Sequence, residues 1–398
     1  MAQARAWWPA SHAEVLDAAT TLLETRSPAE LEEAVCTLIG DHWRHMTEQH
    51  FTGFAPSGWL EGLLTAAAPR AGEPAVRHLL RGIAVITTPG PAAVALGLLR
   101  GSRSSVAATD GPAWLDSPPT STVSPDVLLL RDAYGLRFGL LAQVTTDGGP
   151  PRIYLFDIDL CHGFERVVGC GYRRDLAAAT ADWRSTVGTS ADRAEPESLP
   201  DGLLAHLLTG SVFDGPLAAS PTGEGFHELF RADRIAHEII DALDRAGHRV
   251  VWPQDAAERA RDLADALTDQ FRTWATTHDV DLPPTETPDD DIVRWLLGDW
   301  VSPGLTEHLA LACSPHRIAA FTAYLNDDWQ PDHRDRVLAV LTPWVRYCLE
   351  RSDITGDTAE HALVWARRAA DDPEAVGSDH GDNPGRPVNE TTATETER

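Results

Sequence analysis

The sequence predicts an α+β chain, mostly helical, built around a small central antiparallel β-meander with one packed helix. Three observations carry that reading. Apolar residues recur at helical spacing before residue 105 and again after residue 225. Between residues 126 and 171 the pattern changes to short apolar runs separated by the turn sequences Asp132–Gly135 and Asp147–Pro150. Stretches of small, polar and proline residues divide these textures from one another.

Taken in order, residues 1–105 form a helical N-terminal region. Ser11 and Ser27-Pro28 are helix starts, with Glu30 completing a capping-box pattern from Ser27 and Leu31, Val35, Leu38 and Ile39 repeating at helical spacing. Residues 106–125, with Asp110-Gly111-Pro112 and Ser117-Pro118-Pro119, read as a linker. Residues 126–188 hold the antiparallel sheet and its helix. Strands are expected at Val127–Leu130, Leu136–Val144, Arg152–Leu160 and Val167–Gly171, followed by a helix capped by Asp175 and reaching about Trp183. Four strands followed by one helix suggest a meander with a single covered face. Residues 189–225 form a loop-rich connection, and 226–370 a helical C-terminal module. Within it Leu263, Leu267, Phe271 and Trp274 line one side of a long helix, and Asp289-Asp290-Asp291 favours the positive end of the next. Residues 371–398, poor in apolar side chains, are expected to be a disordered acidic tail.

Composition narrows the chemistry. All 33 basic residues are arginine and none is lysine, which excludes a phosphate-cradling Walker lysine, a kinase strand lysine and any lysine Schiff base. Arginine without lysine, with frequent Ala, Asp and Thr, fits a GC-rich coding bias in the host. The net charge of −27, of which the tail supplies −6, repels phosphate backbones, so nucleic acid is not expected as the main partner. The five cysteines never approach C-x-x-C spacing and fit a reducing, cytoplasmic compartment. The N-terminus has no apolar signal-peptide core. The one uncharged stretch of membrane length, Gly82–Leu99, is broken by Thr87-Thr88-Pro89-Gly90-Pro91, so no membrane span is expected.

The sharpest chemical pattern is Asp157-Ile158-Asp159 on the third strand. Strand alternation places both carboxylates on one face about 7 Å apart, within reach of a shared Mg²⁺ or Mn²⁺. Asp132, Glu165 and His162 are possible additional ligands. Against a metal stands the ordinary polar face of a one-sided sheet, with Arg137 and Arg152 placed to pair across it. Gly169-Cys170-Gly171-Tyr172-Arg173-Arg174-Asp175 offers a glycine turn before a helix, but it is not a dinucleotide fingerprint. His42, His45 and Gln49 share a helix face, as do Asp41, His45 and Glu48, without a recognised metal spacing. His237-Glu238 lacks the second histidine of a zinc-protease helix, and Glu224 with His227 has no matching partner for a di-iron pair.

The run Ile318–Pro331, IAAFTAYLNDDWQP, followed by Val340–Cys348, VLTPWVRYC, resembles a C-terminal helical module of uncharacterised actinobacterial proteins. The resemblance covers residues 290–368, and the segments Arg131–Gly135 and Phe156–Asp159 are similar to the same group. It implies a host and compartment but no activity. Among the C-terminal tryptophans, Trp329 beside Asp328 in the proline-ended element is expected to be an exposed interaction anchor. The expectation from sequence is therefore a non-catalytic protein-binding or adaptor protein without a cofactor, its partner another protein. The alternative is a metal-dependent phosphoester hydrolase with Asp157 and Asp159 as Mg or Mn ligands. The hydrolase requires the two acids to converge with a third ligand. The adaptor requires them splayed or salt-bridged, with an apolar patch exposed elsewhere.

Overall fold

The computed structural model describes residues 7–50, 56–103, 112–117, 120–146, 149–161, 166–199, 225–247, 256–284, 291–301 and 307–378. Five helices come first: α1 (Trp8–Ala18), α2 (Pro28–His50), α3 (Pro56–Ala67), α4 (Pro74–Ile86) and α5 (Pro89–Arg103). At the start of α2 the Ser27 hydroxyl accepts the Glu30 amide while the Glu30 carboxylate accepts the Arg26 amide, so side chains satisfy amides the helix leaves unpaired. Thr87 and Thr88 part α4 from α5, and proline at the first position of α5 fits its start. No helix among the described residues is long and apolar enough to cross a membrane.

The sheet is mixed in length but wholly antiparallel. Its strands are β1 (Ser121–Val123), β2 (Leu128–Arg131), β3 (Arg137–Thr146), β4 (Arg152–Asp159), β5 (Arg166–Arg173) and β6 (Glu197–Ser198). They lie in the order β5-β4-β3-β2-β6, with β1 also paired to β3. The four expected strands are present within one or two residues. β1 and β6 are additions, because two- and three-residue strands offer no period to detect. β1 shows that part of the expected 106–125 linker is built into the sheet.

Helix α6 (Leu176–Val187) covers one face, with Asp175 as its N-cap accepting the Ala178 amide. The other face is also covered. Helix α7 (Gly225–Arg245) lays Ala232, Ile235, Ala236, Ile239 and Ala242 against Phe138, Leu140, Tyr154, Phe156 and Ile158. The one-sided sheet expected from sequence is thus corrected to a sheet buried on both faces. The remaining turn of α7, Phe226, Leu229 and Phe230, enters the core of the N-terminal helices. At that contact Gly40 of α2 lies so close to α7 that a Cβ would sit 2.6 Å from the His227 backbone. Any side chain there would force the helices apart. Helix α7 therefore belongs with the sheet and the N-terminal helices, a correction to its grouping with the 226–370 module.

The C-terminal helices are α8 (Ala256–Thr277), α9 (Ile292–Trp300), α10 (Glu307–Ala310), α11 (Pro315–Asp328), α12 (Pro331–Arg351), α13 (Gly356–Asp371) and α14 (Pro373–Ser378). Asp291 caps α9 by accepting the Arg294 amide. Phe271, Trp300, Trp344 and Trp365 fill one core. Helix α14 corrects the tail boundary: residues 371–378 continue the fold, α14 packs on α11 and α13, and Val376 is fully buried in the C-terminal core. Residues 379–398 of the expected tail lie outside the described residues.

Because Ile235 is fully buried between sheet and helix, Ile235→Ala is expected to lower the free energy of unfolding by about 2–5 kcal/mol in a urea titration. A cost below about 1 kcal/mol would mean that α7 is not packed there.

Candidate functional site at the Asp157–Asp159 end of the sheet

Alternation along β4 does place Asp157 and Asp159 on the same face, the face under α6. Both are buried, Asp157 to 4% exposure and Asp159 to 1%. The register sets Arg137 of β3 opposite Asp159, and Gly139 opposite Asp157. Without a side chain at Gly139, the Trp183 ring of α6 lies directly over the strand, where a Cβ would be 3.1 Å from it. Trp183 Nε1 then donates to Asp157 Oδ1 at 3.1 Å.

Arg137 clamps the pair. Its Nε and Nη2 donate to the two Asp157 oxygens at 2.6 and 2.7 Å, and its Nη1 donates to Asp159 Oδ2 at 3.4 Å. The bidentate fork neutralises Asp157 in the geometry that a guanidinium favours. Asp159 is satisfied from three sides: Arg137, the Cys161 amide at 2.7 Å on Oδ1, and His316 Nδ1 at 3.1 Å on Oδ2. Burial opposes its ionisation, but the His316 hydrogen bond and the Arg137 charge outweigh that and hold its carboxyl well below the usual range. Cys161 is buried beside it, and burial followed by the Asp159 charge pushes its thiol well up. Its Sγ lies 3.3 Å from the Ser314 hydroxyl, which also caps α11 by accepting the Arg317 amide.

The other sequence candidates fall elsewhere. Asp132 accepts the Leu136 and Arg137 amides at 3.0 and 3.2 Å, closing the tight turn that Gly135 completes at φ +73°. Its carboxylate is a turn cap rather than a further ligand. His162 and Glu165 lie outside the described residues. Arg152 does not reach the aspartates; its Nη2 donates to Glu32 at 3.3 Å and its guanidinium covers Tyr172 at 3.6 Å. His42 and Asp41 diverge. His42 Nε2 is 2.6 Å from the Ser11 hydroxyl under Trp59, while Asp41 takes His227 at 2.8 Å. His237 pairs with Asp233, and Glu238 accepts from Arg234 and Ser121.

Trp329 is corrected from exposed anchor to half-buried packing residue. It rests against the C-terminal core with its ring edge-on to Trp295 at 5.7 Å, because it is the residue that ends α11 and turns inward. Asp328 beside it is exposed.

Two features had no sequence signature. His316 is remote in sequence from β4 and reaches it only because the N-terminus of α11 abuts the strand end. The second is a buried ionic network between α2, α7 and the sheet. Glu32, fully buried, lies 3.3 Å from Arg152, 3.6 Å from Arg231 and 3.8 Å from Arg234. Arg231 also holds Glu33 at 2.7 Å and Glu228, and Glu228 accepts the Tyr154 hydroxyl. Compared with family models, curated proteins and solved structures, the chain matches none.

Two outcomes follow from the clamp. Arg137→Met strands buried carboxylates and is expected to cost about 3–5 kcal/mol of stability at neutral pH in a denaturant titration. Asp159 is held below its unfolded value of about 3.9, so its stabilisation is present above that pH and lost as pH falls. Urea midpoints measured from about pH 6 down to pH 3 should therefore fall less steeply for Asp159→Asn than for the wild type. Equal slopes would contradict the assignment.

Proposed function

We propose that this is a protein-binding or adaptor protein that docks a helix of its partner along α5. The observation that carries this reading is the outer face of α5. From Pro89 to Leu99 the helix carries no charged residue, in a chain of net charge −27. Gly90, Ala93, Val94, Gly97 and Gly101 turn outward along one face, and Val94 is 52% exposed. A Cβ placed at Gly90, Gly97 or Gly101 would meet nothing within 4 Å. The result is a shallow track, uncharged as far as Leu99 and bounded by the exposed Arg100, flanked by the half-buried Leu96 and Leu98, that a helix backbone could approach closely. A partner that covers this stretch of the helix desolvates no carboxylate of α5. The occupant we assign is therefore an apolar helix of another protein.

The hydrolase alternative, with Asp157 and Asp159 as paired Mg or Mn ligands, is opposed by Arg137. Its guanidinium already takes both oxygens of Asp157 and one of Asp159, where a paired-metal site needs open lone pairs.

Affinity isolation of the tagged chain from its host, with nuclease treatment, tests the reading. A protein partner captured in stoichiometric amount by the wild type should be lost with Val94→Glu, while the thermal midpoint stays unchanged because Val94 supports little packing. A partner retained by Val94→Glu, or no partner captured by the wild type, would overturn it.

A further inference from the structure

We infer that Asp159, Cys161 and His316 form a binding site for one divalent transition ion of the Zn²⁺ type, linking the end of β4 to the start of α11. The inference does not depend on the binding role of α5. Among the described residues these three form the group of His, Cys and carboxylate donors compact enough to hold an ion, with one donor atom from each within 4.8 Å of the others. Asp159 Oδ2 and His316 Nδ1 are already 3.1 Å apart. Ligands on a tetrahedral zinc are about 3.3–3.8 Å from one another, so no edge of the triangle has to contract by more than about 1.5 Å. Cys161 stands two residues beyond the last residue of β4, and a side-chain rotation there moves Sγ without disturbing a ladder bond.

The donor set selects the ion. One imidazole nitrogen, one thiolate sulfur and one carboxylate oxygen suit zinc or cobalt, whereas Mg²⁺ and Mn²⁺ prefer oxygen alone. The charges also close. Arg137 and Asp157 cancel as a bidentate pair, which leaves the buried Asp159 as the unbalanced negative charge of the site when His316 is neutral. On binding, the Cys161 S–H bond breaks, its proton passes to solvent, and the sulfur electron pair forms the bond to the ion. Two negative ligands then balance one divalent cation, and no oxidation occurs. The surroundings fit this use. Arg137 Nη1 and the Cys161 amide fix the Asp159 oxygens, and the Ser314 hydroxyl, 3.3 Å from Sγ, can donate to the thiolate. Side-chain exposure of 24% at His316 puts that ligand at the solvent boundary, the side from which an ion and a water as fourth ligand would enter.

The test is titration of the full chain, freed of metal by a chelator and dialysed, with Co²⁺ as the probe. The expected result is a thiolate-to-cobalt charge-transfer band in the near ultraviolet and visible bands of a four-coordinate ion. These should saturate at one equivalent, be displaced by Zn²⁺, and accompany a rise in thermal midpoint. Cys161→Ser should abolish the charge-transfer band, and His316→Gln should weaken cobalt affinity by at least about tenfold. No charge-transfer band in the wild type would overturn the inference, as would a band that persists in Cys161→Ser, since another thiol would then be the ligand. If Cys161→Ser does not fold by circular dichroism, the wild-type titration and His316→Gln decide, and undiminished affinity in His316→Gln overturns the site.

Discussion

Removing an ionised carboxylate from water costs several kcal/mol unless a counter-charge and hydrogen bonds replace the lost hydration, and β4 buries two of them two residues apart. Arg137 meets that requirement from the neighbouring strand. The register then has no freedom, because a shift of one residue would send Arg137 to the opposite face. Trp183 closes the cluster from above by donating to Asp157, and Gly139 leaves it the space to do so. His316 closes it from the side, which fixes where α11 meets the sheet. One ionic cluster thus orients two helices against a six-stranded sheet.

A second ionic network performs a similar task on the other side. Glu32 of α2 is surrounded by Arg152 of β4 and by Arg231 and Arg234 of α7, with the Arg152 guanidinium stacked on Tyr172. The apolar half of α7 covers the sheet, while these arginines and Gly40 bring it against α2. The N-terminal helices are joined to the sheet by charge as well as by packing, which also explains how so acidic a chain carries several arginines in its interior. The chain carries a net charge of −27, and the stretch of α5 from Pro89 to Leu99 contributes none of it.

Much of this was legible in sequence where the signal is local. Strand alternation between residues 127 and 171, the Asp175 and Asp291 caps and the Ser27 start all depend on neighbours in the chain. Alternation also places Asp157 and Asp159 on one face, and of the two arginines the sequence offers as partners Arg137 pairs with them while Arg152, on the other face, reaches Glu32. What failed was non-local. The second cover of the sheet comes from α7, more than sixty residues after β4, and with it the expected solvated face became interior. Trp329 looked exposed because its immediate neighbours are polar, but the partner that half-buries it, Trp295, lies on another helix. His316 and Glu32 carry ordinary local context; only tertiary placement makes them members of buried clusters. The Gly82–Leu99 stretch is divided between α4 and α5 at Thr87 and Thr88, and in its second half Val94 and its glycine neighbours face outward, an orientation that the sequence pattern alone does not reveal.

The Arg137 clamp is the feature on which sheet register, helix placement and the Asp159 environment all rest. A double-mutant cycle between Arg137→Met and Asp157→Asn, followed by urea unfolding at neutral pH, addresses it most directly. A coupling of at least about 2 kcal/mol is predicted, since Arg137→Met leaves the buried Asp157 carboxylate without its counter-charge and Asp157→Asn leaves the guanidinium without its bidentate partner, whereas the double change removes both halves of that pair. A coupling below about 0.5 kcal/mol would mean that the two side chains act independently, and the clamp would not organise the fold.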